Sequence, residues 1–368
     1  MSDNNDWLTN ALQREPFTKM SAKPWDGAVT LPTWQLDHLI PQKSIGMLYG
    51  ASNSGKSHLV CDYVVACING DKEWHGQAMQ PGAVVMFSES IGHIKARLKA
   101  YQKLHGKEQQ HGLYLNPSMS FDRAHIHPLA MWLAGLEEAP MLMVFDTFST
   151  SFGIENENDN TEVAKLIKAI EEYLVPVMHP DGAIMIVHHT SKVSDGHTAR
   201  GASALIGNID WSIHVEWDKE LGRTVATWAK DRWQLIEGQP QWAGHAERFP
   251  VEFSNGGHEM MVLAWERWSE EQTEAHKEIE REKKQDAIQS ILVTELKRLG
   301  KPVYLHSESA KSAPAGYAKF NLAEAAGVSP KMTPELRQFL LDNYQAESVH
   351  NTKGDLTGYM VDINRPVH

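Results

Sequence analysis

The chain has 368 residues, of which 42 % are hydrophobic and 22 % are charged, and its formal net charge at pH 7 is −12. This composition provides enough apolar residues for a folded core. The sequence has no apolar run of about 18 residues and no secretory signal, and it therefore predicts a cytoplasmic protein that does not associate with a membrane. The acidic balance argues against a uniform coating of nucleic acid, although a local basic loop can still contact phosphates.

The first predicted segment, residues 1–33, is an arm that lacks sustained periodicity and contains three prolines. A core domain is predicted to follow over residues 34–268. It opens with the apolar run IGMLYG, residues 45–50, which is typical of a buried strand. After a glycine-rich loop comes the helical pattern SHLVCDYVVACING, residues 57–70. The chain's two cysteines lie six residues apart in this helix, a spacing that suits neither zinc nor a redox pair and predicts buried, reduced side chains.

Three more apolar runs are predicted to be strands: GAVVMFSES (82–90), PMLMVFDT (140–147) and GAIMIVHHT (182–190). Between the last two lies an amphipathic pattern, residues 161–178, which predicts a helix with Thr161 as its N-cap. Continuous apolar strands that alternate with helices favour an α/β fold, in which helices cover both faces of a mostly parallel central sheet.

The last part of the core contains WSIHVEWD and RTVATWAKDRW, which KELG joins and which predict a strand pair. Residues 269–284 are rich in charge and predict a helical connector. Residues 285–368 predict a small α+β domain with helices and a two-strand wing, compatible with a winged helix. Its second paired helix carries only one cation, Arg337, so protein contact or ring support is favoured over DNA reading.

The motif G-x-x-x-x-G-K-S at residues 50–57 predicts a phosphate-binding loop, because glycines let successive backbone N–H groups surround phosphates. Lys56 is expected to reach the β- and γ-phosphates of ATP, and the Ser57 hydroxyl to bind Mg²⁺. A chance match is the alternative, but the preceding strand and following helix are the context that the motif requires. The predicted nucleotide-binding residues are Gly50, Ala51, Ser52, Asn53, Ser54, Gly55, Lys56, Ser57 and His58.

Polar side chains end the other predicted parallel strands, at the sheet edge where α/β proteins bind ligands. Asp146 is predicted to be the second Mg²⁺ ligand, and Glu89 the base that activates water. His188 or His189 is predicted to contact the γ-phosphate, and the sequence does not choose between them. The alternatives are capping or surface roles for the acids and structural roles for the histidines.

Four predicted strand ends thus carry, in chain order, the glycine-rich loop, Glu89, Asp146 and the histidine pair. In this the chain resembles the RecA-like ring ATPases, and most closely the RepA-like hexameric replicative DNA helicases. The similar blocks are LIPQKSIGMLYGASNSGKS, VVMFSES, MVFDT, VHHTSK and RGASALIGNIDWSIHV. The resemblance implies a homo-hexameric ring that hydrolyses ATP and translocates on single-stranded DNA for a plasmid or phage replicon, with a replication initiator or loader as a further partner. It also implies Glu89 as the base, although Ser90 replaces an aspartate that relatives often carry.

Rings of this kind place nucleotide between neighbouring subunits, so cations that act across the boundary are expected. Lys230 and Arg232, two residues apart on a predicted strand, share a face and fit this role, with Arg200 as a second candidate. The alternative is a pair of exposed cations balanced by nearby acids. The segment HTSKVSDGHTARGAS, residues 189–203, is equivalent in the resembling family to a loop that touches DNA phosphates; an active-site lid is its alternative.

Two other functions remain open from the sequence. One is a RecA- or RadA-like recombination or repair ATPase that remodels protein–DNA complexes without unwinding. The other is a DNA-binding regulator that uses nucleotide only as a switch. Both retain the nucleotide site and differ from a helicase in what hydrolysis accomplishes.

Overall fold

A computed structural model describes residues 32–154, 159–190, 202–219, 221–233, 241–253, 256–299, 303–306, 322–326, 328, 332–350 and 356–367. The chain divides into two units, Met1–Arg267 and Trp268–His368. This division falls beside the predicted end of the core at residue 268.

The first unit alternates strands and helices. Its strands are β1 (Trp34–Leu36), β2 (Ile40–Pro41), β3 (Ile45–Gly50), β4 (Glu73–Trp74), β5 (Gln77–Ala78), β6 (Val84–Ser88), β7 (Leu113–Pro117), β8 (Leu142–Asp146), β9 (Ala183–His189), β10 (Trp211–Asp218), β11 (Arg223–Asp231), β12 (Gln241–Phe253) and β13 (Gly256–Arg267). Its helices are α1 (Lys56–Ile68), α2 (Ile91–His105), α3 (Arg123–Ala134), α4 (Phe148–Ser151), α5 (Asn160–Ala169) and α6 (Ala202–Asn208).

Nine of these strands form one sheet in the order β13-β12-β11-β10-β3-β9-β8-β6-β7. The pairs from β10 through β7 are parallel, whereas β10 to β13 pair antiparallel. The central sheet is therefore mostly parallel, which confirms the predicted α/β class. The antiparallel strands β12 and β13 were not predicted.

Helices cover both faces of the sheet, as the continuous apolar strands predict. One core cluster joins side chains of α1, α2, β12 and β13, and a second joins side chains of α3 to α6. Neighbouring residues of β3 alternate between them, with Met47 in the second cluster and Leu48 in the first. Cys61 and Cys67 are buried and unbridged, as predicted.

Between β8 and β9 the structure corrects the predicted helix. Asp159, not Thr161, is the N-cap, because its side chain accepts the backbone N–H groups of Thr161 and Glu162. The α-helix ends at Ala169 and continues as a π-helix, Ile170–Leu174, and a 3₁₀ turn. The elements α2, β7 and α3, which lie between β6 and β8, were not predicted from the sequence.

The second unit is a small α+β region. It contains α7 (Glu270–Leu299), β14 (Val303–His306), α8 (Leu322–Ala325), α9 (Thr333–Asn343), β15 (Tyr344–His350) and β16 (Leu356–Pro366). The three strands form an antiparallel sheet in the order β14-β16-β15, of which β14 was not predicted. The predicted connector, residues 269–284, lies within the continuous helix α7. Among the described residues, no helix is long and apolar enough to cross a bilayer.

A buried carboxylate ties α1 to α2. Asp62 accepts hydrogen bonds from Trp74 Nε1 at 2.7 Å and contacts His75 Nε2 at 2.7 Å and His105 Nε2 at 2.8 Å. Burial raises the pKa of Asp62, but the bonds from His105 and His75 outweigh it and hold the pKa at about 2. This network fixes the last turn of α2, the helix that follows Glu89.

Replacing Gly46 with alanine should destabilise the sheet, because a Cβ at Gly46 would lie 1.9 Å from Cε2 of the Trp211 ring. We expect Gly46→Ala to lower the free energy of unfolding by about 3 kcal/mol in urea titrations. The matched control is Gly92→Ala in α2, where nothing lies within 4 Å. It should stay within about 1 kcal/mol of wild type or be slightly more stable. Equal stabilities of the two variants would contradict the packing.

His105 should make stability depend on pH. Burial lowers its pKa, but bonds to Asp62 and the charges of Asp62 and Asp71 raise it overall above 6.5. The stability that it contributes is therefore complete below pH 6.5 and is lost as the pH rises through the higher folded-state pKa. We expect the difference in unfolding free energy between wild type and His105→Gln to shrink from pH 6 to pH 9. A difference that stays constant from pH 6 to pH 9 would contradict this role of His105.

Candidate nucleotide-binding site

The loop between β3 and α1 needs glycine at two positions. Gly55 has φ +98°, and a Cβ there would press at 3.0 Å on Thr224 and Leu263. A Cβ on Gly50 would lie 2.0 Å from the Val215 carbonyl oxygen. Helix α1 then begins at Lys56 with no acidic residue in its first turn, so its unsatisfied N–H groups favour an anion. The loop has the properties of a phosphate-binding loop.

Lys56 and Ser57 lie at the base of the loop beside Asp146. Lys56 is 3 % exposed, and its Nζ donates to the carbonyl oxygens of Gly50 at 2.9 Å and Ala51 at 2.7 Å. Burial lowers the pKa of Lys56 to about 8, against the pull of the Asp146 carboxylate. Ser57 Oγ donates to Asp146 Oδ2 at 3.4 Å. The structure thus brings the predicted phosphate and metal residues together.

Parallel pairing aligns the other predicted strand ends with the loop. Gly50 is opposite His189, and Asp146 is opposite both Val187 and Ser88. The backbone N–H of Glu89 donates to the Asp146 carbonyl oxygen at 3.3 Å. Glu89 is exposed and faces the same cavity as Lys56, Asp146 and His189.

The two histidines of β9 have different surroundings. His188 is 3 % exposed and packs edge-on against Phe148, and burial lowers its pKa to about 4. His189 lines the cavity; burial and the Lys56 charge lower its pKa, whereas Glu89 opposes the shift. The structure therefore separates two residues that the sequence left equivalent.

A cavity of about 560 Å³ lies between the loop, the strand ends and α2, within the range typical of ligand pockets. The loop and α1 contribute Asn53 through His58, whereas Ala51 and Ser52 are exposed at the loop tip. Strands β10 to β13 close the far side with Trp217, Thr224, Ala246, Met261 and Leu263. The sequence predicted β10 and β11 as a strand pair but neither β12 and β13 nor the wall that the four strands form, because local patterns do not show which distant strands lie beside the loop.

Arg97 is the main cavity residue that sequence reasoning missed. It lies in α2 one turn after His93, and both line the cavity. Its charge opposes the rise that burial causes in the pKa of Asp146. The i, i+4 spacing of two basic residues on the helix after Glu89 was the available signal. Tyr101 holds this helix against β13 by donating to the Leu263 carbonyl at 3.1 Å.

Lys230 and Arg232 lie at the opposite edge of the sheet. Asp231 and Gly46 both pair with Trp211, so the end of β11 lies beside the amino end of β3, away from Gly50. Neither cation lines the cavity. Arg200 and most of the predicted DNA loop, residues 191–201, fall outside the described residues.

The donor set fits a magnesium nucleotide. Ser57 and Asp146 supply hard oxygen atoms, which Mg²⁺ prefers, usually together with water and phosphate oxygens. The buried Ser54 Oγ of the loop has no hydrogen-bond partner within the described chain, so it can serve a phosphate oxygen. Among the described residues no cluster of three or more His, Cys, Asp or Glu side chains could hold a metal by itself.

Residues 14–195 match a family model described as AAA domain. The match supports the assignment of this part of the chain to the P-loop ATPase superfamily. It covers nearly half of the chain and includes the loop, Glu89, Asp146 and His189, but not Lys230 or Arg232. It supports nucleotide binding, usually with Mg²⁺, and ATPase activity in this domain. No curated protein matches the chain.

Glu89→Gln should separate binding from turnover, because glutamine keeps the shape of the side chain but cannot take a proton from water. We expect ATP turnover to fall about 10²- to 10⁴-fold, while the Kd for ATP changes little. Phosphate release and equilibrium binding measure the two quantities. Glu73→Gln, an exposed change on β4 that does not line the cavity, is the control. Full turnover in Glu89→Gln would assign the base elsewhere.

Proposed function

We propose that the protein is an ATP-driven, hexameric ring translocase that acts on single-stranded DNA and separates strands as a replicative helicase of a plasmid or phage element. One observation carries the proposal. The predicted phosphate, metal and base residues meet at the carboxyl edge of the sheet, whereas Lys230 and Arg232 lie at its amino edge. Cations at that edge cannot serve their own nucleotide but can serve that of a neighbour.

In the proposed reaction each subunit binds ATP on its own loop. Lys56 contacts the β- and γ-phosphates, and Ser57 and Asp146 hold Mg²⁺, which supplies positive charge to the phosphate oxygens when bound. Glu89 accepts a proton from the water whose oxygen attacks the γ-phosphorus, and the bond from that phosphorus to the β,γ-bridging oxygen breaks to release ADP. Since His189 lines the cavity and His188 is buried against Phe148, His189 is the better candidate to contact the γ-phosphate.

Arg232 and Lys230 of the neighbouring subunit would then neutralise charge that develops on the γ-phosphate. Arginines that act in this way contribute about 10³- to 10⁵-fold in related phosphoryl transfers. DNA contact is assigned to the segment 189–203 on the strength of the sequence resemblance. Its lack of Phe, Tyr and Trp side chains suits contact with phosphates rather than bases, and six copies in a ring would add their charges.

The proposal predicts ATP turnover that single-stranded DNA stimulates and displacement of an annealed, labelled strand. Both should disappear in Lys56→Ala, because the phosphates lose their cation. Lys95→Ala, which removes an exposed lysine of α2 outside the cavity, should behave as wild type. A purified protein that stays monomeric with ATP and DNA and releases no phosphate would refute the proposal.

Two other outcomes would select the alternatives. Stimulated turnover without strand displacement would favour a RecA- or RadA-like remodelling ATPase. Tight nucleotide binding with turnover that DNA does not change would favour a nucleotide-switched regulator. Imaging of particles with a non-hydrolysable nucleotide counts the subunits directly.

A further inference from the structure

Arg232 forms an ion pair with Asp210 of its own subunit. Its Nη1 lies 2.8 Å from Asp210 Oδ1, and its backbone N–H donates to the Asp210 carbonyl oxygen at 3.0 Å. The Arg232 side chain is nevertheless half exposed. A guanidinium has five N–H donors, so this bond leaves others directed away from the carboxylate.

Asp210 is itself held by two hydrogen bonds to the backbone of Ile45. Its second carboxylate oxygen, Oδ2, accepts the backbone N–H of Ile45 at 3.0 Å, and its own N–H donates to the Ile45 carbonyl oxygen at 2.8 Å. Ile45 begins β3, the buried central strand that ends at the phosphate loop. Asp210 therefore links the position of Arg232 to the buried central strand β3.

The same short segment also holds Lys230. Lys230 Nζ donates to the carbonyl oxygens of Ile206 at 2.5 Å and Ile209 at 2.6 Å. A second acid, Glu171 of the π-helix, lies near this cluster. Burial and the charge of Asp210 raise the pKa of Glu171, and the charge of Arg232 opposes that rise. The segment 206–210 therefore binds both cations, Lys230 through backbone carbonyl oxygens and Arg232 through the Asp210 carboxylate.

We propose that Asp210 is a positioning residue for trans hydrolysis, which fixes the guanidinium of Arg232 so that its remaining donors meet the neighbour's γ-phosphate. This inference rests on the proposed ring ATPase. An arginine that rotates freely loses side-chain entropy when it binds a phosphate. Because the carboxylate already restricts the Arg232 side chain, less entropy is lost when the guanidinium binds the neighbour's phosphate. Misplacement of a catalytic group by about 1 Å can cost about 10²-fold in rate.

Asp210→Asn tests the inference, since asparagine keeps an acceptor for the Ile45 N–H but loses the charge that holds Arg232. In DNA-stimulated turnover of the full chain we expect kcat to fall about 10- to 100-fold and the KM for ATP to stay unchanged. Glu266→Gln is the matched control, because it removes another partly exposed ion pair of the same sheet, with Arg223 at 3.2 Å. Its kcat should equal that of wild type. An unchanged kcat in Asp210→Asn would overturn the inference.

Mixed rings distinguish a positioning role from a structural one. In a mixture of Asp210→Asn and Lys56→Ala subunits, an intact loop of the first can face an intact Arg232 of the second, so turnover should exceed the mean of the two separate variants. Absence of this gain would show that Asp210→Asn damages its own site and would overturn the inference. The double variant Asp210→Asn/Arg232→Ala should be no slower than Arg232→Ala, and additive losses would also overturn it.

A parallel mixture separates this inference from the proposed function. Arg232→Ala subunits mixed with Lys56→Ala subunits should also regain turnover, and failure there would refute the trans-acting cation itself. Success there without a gain for Asp210→Asn would refute only the role of Asp210. Asp210→Glu, which keeps a carboxylate, serves if the asparagine variant is poorly folded; its kcat should lie above that of Asp210→Asn or, when that variant is unfolded, above that of Arg232→Ala.

Discussion

Parallel pairing of β3, β9, β8 and β6 is the constraint on which the site depends. The strands are buried on both faces, and their register places Gly50 opposite His189 and Asp146 opposite Ser88. In a parallel sheet every strand presents its carboxyl end at the same edge, so residues far apart along the chain meet there. The loop, the proposed metal ligands and the proposed base are brought together mainly by the backbone hydrogen bonds of these strands, and side-chain contacts such as that of Ser57 with Asp146 add to this.

The antiparallel strands change what this edge can enclose. Beyond β10 the sheet continues through β11 to β13, and β12 and β13 pack with α1 and α2 in one core cluster. A Cβ at Gly55 would press on Thr224 and Leu263, so the added strands lie directly against the loop and leave no room for a side chain there. The result is a cavity with a phosphate-binding base and a partly apolar wall that carries the exposed side chains of Trp217 and Met261.

The two edges of the sheet differ in the burial of their charged side chains. At the carboxyl edge, Lys56 and Arg97 face Asp146 in a buried environment that moves the pKa of Lys56 downward and that of Asp146 upward. At the amino edge, Arg232 remains half exposed beside Asp210. A single sheet thus carries a phosphate-binding loop at one edge and an ion-paired, half-exposed cation at the other.

The sequence by itself determined the features that depend on neighbouring residues. Apolar runs specified β3, β6, β8 and β9 of the parallel core, because a strand buried on both faces needs apolar side chains at every position, whereas the less buried β7 was missed. The glycines of residues 50–57 specified the loop. Tertiary structure alone decided which histidine faces the cavity, that Arg97 and Trp217 line it, and that Asp210 pairs with Arg232. These choices depend on strand order and register, which hydrogen bonds between distant segments set and which no local pattern encodes.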